Sequence, residues 1–113
     1  MLFLNDHLAF PFPARVVSLD FQATSVTESG LAILALTLHP LSEPQWVIQL
    51  SFVGVVALSV PKVAPEGIHC ALFEVSPIQT ALWENIRWMA GDFKTDVLTF
   101  YAQTAEVRAI NSI

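Results

Sequence analysis

Apolar residues in this chain recur with a two-residue period, and that period limits what it can fold into more than any other feature. From Val17 onward, Leu19, Phe21 and Ala23 fall on one side and Ser18, Asp20, Gln22 and Thr24 on the other. A half-buried strand reads this way because successive side chains point to opposite faces of a sheet. Trp46, Ile48, Leu50 and Phe52 repeat the pattern against Val47, Gln49, Ser51 and Val53, and Leu98, Phe100 and Ala102 show it again. The expected fold class is mainly β: an antiparallel sheet forming a small sandwich or an open barrel, with at most one short helix.

Punctuation places the strands between these runs. Pro11 and Pro13 have no ladder donor and set where the first strand begins, giving about Ala14 to Thr24. A turn ending at Gly30 leads into Leu31 to Leu38, which is apolar on both parities and is expected to be a central strand covered on both faces, paired with the first in a hairpin. His39 to Pro44, with two prolines, is a loop, and Gly54 marks a bulge, a bend or the start of a new strand. Pro61 to Gly67 is a second loop before a short strand from Cys70 to Val75.

Ser76-Pro77 with Gly91 beyond has the punctuation of a helix at about 76–90, carrying Ile78, Leu82, Ile86 and Met89 on one face, so α+β is the alternative class. The alternation of Glu84, Ile86 and Trp88 argues instead for a helical turn over 79–83 and a strand from Asn85 to Ala90. Gly91 to Asp96 makes a hairpin into the last strand, Val97 to Ile110. There the apolar parity changes between Ala102 and Ala105, and a bulge near Gln103 or Thr104 would restore one core face. The expected core is Leu19, Phe21, Leu36, Ile48, Leu50, Phe52, Leu98 and Phe100.

A length of 113 residues suits one core, so residues 1–113 read as a single β-rich domain. The hydrophobic fraction is 54% and the charged fraction 13%, where roughly 45–50% and about 25% are usual. So few charges leave apolar surface for a partner to cover, and a second copy is the commonest partner, which predicts a homodimer. Arg15, Lys62, Arg87, Lys94 and Arg108 are scattered in a chain of net charge −5, which excludes a phosphate-binding stripe and with it nucleic acid, and which suits a basic protein partner. Gln45 to Val60 is too short and too polar for a membrane span, and the start lacks the basic region of a signal peptide. The single Cys70 rules out an internal disulfide, so the expected location is intracellular, in the cytoplasm.

Little in the chain has the spacing that chemistry needs. His7, His39 and His69 lie in three separate segments, and His69 and Cys70, being adjacent in a strand, point to opposite faces and cannot grip one ion. No metal or cofactor is expected. Cys70 reads as a small core side chain, and no Gly-x-Ser-x-Gly elbow or Gly-rich phosphate cradle is present. Asp92 and Asp96 flank the hairpin, where a Gly-Asp turn explains them by local backbone bonding more simply than acid–base catalysis does. The remaining candidates are aromatic. Trp83, Glu84, Arg87 and Trp88 combine two large amphipathic rings with two charges, the makeup of an anchor with a polar rim, and form the candidate binding patch.

The succession Phe52 to Val60, Phe73-Glu74-Val75, Trp83-Glu84-Asn85-Ile86 and Leu98 to Val107 resembles small bacterial β-proteins without an assigned activity, some of them grouped with toxin-neutralising immunity proteins. The resemblance covers roughly the last two-thirds of the chain and rests on strand and turn residues. It implies the β fold and transfers no functional residue; where such proteins carry an early His-Asp element, this chain has Phe10-Pro11-Phe12-Pro13. The function expected first is a non-enzymatic interaction protein, an immunity-like inhibitor of a partner protein among its forms. A small-ligand-binding barrel or sandwich and an unrecognised hydrolase are the alternatives.

Overall fold

The structure, a computed structural model, describes residues 10–24, 30–61, 64–78 and 85–112. Eight strands follow one another: β1 Phe12–Gln22, β2 Ile33–Pro40, β3 Trp46–Val53, β4 Val56–Ser59, β5 Ile68–Pro77, β6 Trp88–Asp92, β7 Val97–Ala102 and β8 Thr104–Ser112. All pairings are antiparallel, in the order β4-β7-β6-β5-β1-β2-β3-β8, and the sheet is not closed into a barrel. No helix occurs among the described residues; of the 76–90 window, Ser76 and Pro77 belong to β5 and 88–90 to β6, while the helical turn expected over 79–83 lies outside them. None is therefore long and apolar enough to cross a membrane.

Two bends curl the sheet. β3 runs into β4 through Gly54 and Val55, and β7 runs into β8 through Gln103, one of the two positions, Gln103 or Thr104, to which the parity change points for a bulge. The bends face each other: Gly54 is left-handed (φ 72°), and a Cβ there would sit 2.5 Å from Cγ of Gln103, whose backbone N–H donates to the Val53 carbonyl at 3.0 Å. Only a residue without a side chain leaves Gln103 that place. A third corner lies in β5, which pairs with β1 from Ile68 to Phe73 and with β6 from Glu74 to Pro77. Strands that change partner in this way are how a sheet turns a corner and folds over its own inner face.

That inner face is the core. Leu36, Ile48, Leu50, Phe52, Leu98 and Phe100 are all fully buried, and Phe52 meets Phe100 edge-on, with ring centroids 4.7 Å apart at 83°. Phe10, Phe12 and Phe73 form a second aromatic group, Phe10 and Phe12 stacked at 5.0 Å. β2 buries Leu34, Leu36, Leu38 and Pro40, whereas Ala35 on its other face is exposed. The expected cover on both faces is absent because the sheet curls around a single interior.

Phe21 is the clearest departure from the expected core. In β1 the buried residues are Phe12, Ala14 and Val16, and the register against β2 slips between Val16 and Ser18, leaving Val17 unpaired and 42% exposed. Beyond the slip Leu19 is half-buried against the core, but Phe21 is 43% exposed. The cause is coverage. β5 pairs with β1 only as far as Val16, so Phe21 extends past the part of the sheet that has anything folded over it.

Candidate functional site

Of the four residues of the expected patch, Arg87 and Trp88 are described and Trp83 and Glu84 lie outside the described residues. Arg87 has its side chain exposed while its backbone ties two strand ends together: its N–H donates to the Ala102 carbonyl at 3.1 Å and its carbonyl accepts from Ile78 N–H at 2.9 Å. Trp88 follows at the start of β6, facing Pro77 on one side and Ala102 on the other, half-buried and packed against the core. Trp88 is thus half-buried against the core beside an exposed Arg87.

His39, Cys70 and Asp92 are each held by the fold. His39, in β2, has its Nδ1 2.9 Å from the Trp46 carbonyl and 3.2 Å from that of Pro44. Both partners only accept, so Nδ1 carries the proton and the ring staples the loop between β2 and β3. His69 is exposed and Cys70 beside it is buried, on opposite faces as strand geometry requires. Burial, with the Asp92 charge second, pushes the Cys70 thiol up to about 12. A thiol in that state is neutral at physiological pH and is no nucleophile. Among the described residues no three His, Cys, Asp or Glu side chains gather to hold a metal ion.

Asp92 is the one fully buried carboxylate among the described residues. Its Oδ1 accepts from Thr95 N–H at 3.1 Å within the β6–β7 turn, as a Gly-Asp turn leads one to expect, and its Oδ2 accepts from Leu72 N–H at 3.2 Å at the β5 corner. Burial alone would raise its pKa, but the bonds from Thr95, Leu72 and Ala71 outweigh it and hold the carboxyl below its ordinary value. Asp96 is exposed, with a left-handed backbone. Asp92 is a clamp: it satisfies the strand N–H groups that β5 leaves unpaired where it changes partner.

A pH dependence follows from that clamp. Because the folded pKa lies below the unfolded value of about 3.9, the stabilisation is complete above pH ~4 and is lost as the pH falls through the folded pKa. Acid unfolding followed by tryptophan fluorescence should show it. Asp92→Asn should lose stability at neutral pH and flatten the acid limb, and Asp92→Ala should cost about 1–3 kcal/mol for each N–H left buried and unpaired.

Two concave regions lie outside the sequence-derived patch. The outer faces of β2, β3 and β8 form a groove of about 520 Å³ lined by Thr37, Gln49, Ser51, Glu106 and Arg108 among others, with Glu106 and Arg108 paired at 3.6 Å on its rim. A smaller apolar groove of about 210 Å³ is lined by Val60 after β4, by Val16 to Leu19 of β1, and by Gly67 and Ile68 where β5 begins. Sequence reasoning missed both, since each is assembled from strands distant in the chain; the one available signal was the alternation of Val17, Leu19 and Phe21. Comparison with known proteins adds no relative, for no family model, no curated protein and no solved structure matches the chain.

Proposed function

We propose that this chain is a non-enzymatic interaction protein that acts by docking on other protein surfaces, an immunity-like inhibitor of a basic partner being the form that suits its charge. The observation that carries this reading is the exposed apolar surface: Val17, Phe21, Val56 and Val60 are each more than a third exposed in a chain whose charged fraction is only 13%. Such side chains are unfavourable in water; Val17 and Val60 line one apolar groove together, and proteins that retain apolar surface in such a place use it for contact. Arg87 and the outer edge of Trp88 supply a polar, aromatic contact point at another corner, and ten acidic against five basic residues favour a cationic partner. The engagement of His39, Cys70 and Asp92 in structural bonds or burial speaks against a hydrolytic centre built on them. A cytoplasmic setting agrees with a single reduced thiol.

Affinity capture with the parent chain and with Arg87→Ala and Trp88→Ala variants tests this. The expected result is a protein held in stoichiometric amount by the parent, released by moderate salt, and bound at least about tenfold more weakly by the variants. A panel of ester, amide and phosphate substrates should show no turnover. Turnover that disappears in Cys70→Ala would overturn the reading in favour of a hydrolase. A small-ligand function is favoured by one feature, the β2–β3–β8 groove, whose volume lies within the roughly 300–1,000 Å³ of small-molecule sites. Saturable binding of a small ligand that Thr37→Ala or Gln49→Ala weakens would support it.

A further inference from the structure

We propose that Arg15, with His39 and His69 on either side of it, forms a site for a single phosphoryl group on the outer face of the sheet. Such a site stands whether or not the chain docks on another protein. Arg15 of β1 pairs directly with His39 of β2 and with His69 of β5. Ala14, Val16, Leu38, Pro40, Ile68 and Cys70 are buried, so the residues between them point outward and the three side chains stand in one row. Directly opposed Cβ atoms are about 4.5–5.5 Å apart, which puts both imidazoles within reach of one ligand held at the guanidinium.

Arg15 has no answering charge. Its Nε is buried without a hydrogen-bond partner, the one such atom among the described side chains, and no described carboxylate lies within ion-pair distance of its guanidinium. A half-buried cation in that state is costly, and the other N–H groups of its fork are the donors an anion would take. The residues two places along each strand, Pro13 and Val17, Thr37 and Leu41, Gly67 and Ala71, carry no charge. Glu43, in the loop that His39 staples, and Glu66, before the start of β5, are close in the chain, but neither pairs with Arg15. A cation left without a counter-charge is unexpected in a chain of net charge −5.

The histidines select a phosphoryl group over a carboxylate. His39 Nδ1 donates towards the carbonyls of Trp46 and Pro44, so Nε2 of the neutral ring offers a lone pair, which a bare carboxylate cannot use. A phosphoryl group has a second pKa of about 6 and exchanges a proton in the range where imidazole also does. It can accept from Arg15 through two oxygens and donate through its hydroxyl, or accept from a charged ring once that proton has moved. His69, exposed on the other flank, supplies the second imidazole. One guanidinium serves one phosphoryl group, so the site is no substitute for the basic stripe that a nucleic acid requires.

Isothermal titration of the full chain at about pH 7 with inorganic phosphate, and separately with phenyl phosphate, should show one saturable site per chain for both. Arg15→Gln should weaken binding at least about tenfold, and Arg15→Lys, which keeps the charge and loses the fork, at least about threefold. His69→Ala, at an exposed position away from the core, should weaken it about threefold with the circular dichroism of the parent. Sulfate has the same shape and no proton to donate at this pH, and should bind at least about fivefold more weakly than phosphate. Lys94→Gln, in the exposed β6–β7 turn, should leave the constant within about twofold of the parent. No saturable binding up to about 10 mM phosphate, or binding that Arg15→Gln and His69→Ala leave unchanged, overturns the proposal. Equal binding of phosphate, sulfate and chloride, weakened as much by Lys94→Gln as by Arg15→Gln, would mark an adventitious ion only and overturns it as well.

Discussion

Gly91→Ala is expected to destabilise the fold by roughly 2–6 kcal/mol, from backbone strain and overpacking together. Gly91 has φ 123°, which an L residue with a side chain rarely adopts, and an added Cβ would collide with the Leu98 carbonyl oxygen and lie 2.9 Å from Thr99 Cα. Those obstacles are backbone, and Leu98 is itself left-handed (φ 48°), so the β6–β7 ladder has no easy direction in which to give. Against a total stability of about 5–15 kcal/mol for a domain of this kind, the variant should be partly unfolded or much more sensitive to urea. An unchanged urea midpoint would show that β6 and β7 do not approach as described. Relocating Asp92, the next residue, would compound the loss by releasing the β5 corner.

Phe100→Ala should cost about 3–5 kcal/mol, since it removes a fully buried ring and leaves a cavity that its neighbours fill only in part. Phe52 loses its edge-on partner at the same time. A double-mutant cycle between the two rings should therefore show a coupling of about 0.5–1.5 kcal/mol. Phe21→Ala is the contrast: as a largely exposed ring it should shift stability by no more than about 0.5 kcal/mol. A Phe100→Ala variant as stable as the parent would mean that the inner face of β7 has been misidentified.

The contrast between Phe100 and Phe21 marks how far a sequence of this type can be read. Both sit in alternating runs. In β7 and β8 the alternation even contained its own exception, because Leu98, Phe100 and Ala102 lie on one parity and Ala105 and Val107 on the other, which narrowed the break to Gln103 or Thr104. What alternation cannot express is whether another strand lies over a given stretch. That depends on where β5 leaves β1, and β5 is far from Phe21 in the chain. The same limit applies to Asp92, whose bonding to the backbone of its own turn was legible, whereas its bond to Leu72 was not. For the candidate patch, the pairing of Arg87 with Trp88 at one corner follows from their adjacency, but the bracing of that corner by Ala102 and Ile78 is a tertiary matter and left no trace in spacing.

The two facing bends at Gly54 and Gln103 impose an order on synthesis and folding. β1, β2 and β3 are consecutive and can zip locally as they emerge from a ribosome, but β3 and β4 form one bent strand whose partner along its whole length is the bent strand of β7 and β8, made last. Until then one edge of β3 and the inner faces of Ile48, Leu50 and Phe52 have nothing to rest on. A nascent chain must carry this sticky, half-built sheet through most of its translation, and long-range pairings of this sort also close slowly. Expression yield should therefore respond more to translation speed and chaperone supply after β3 than to any gain in the strength of the early hairpins.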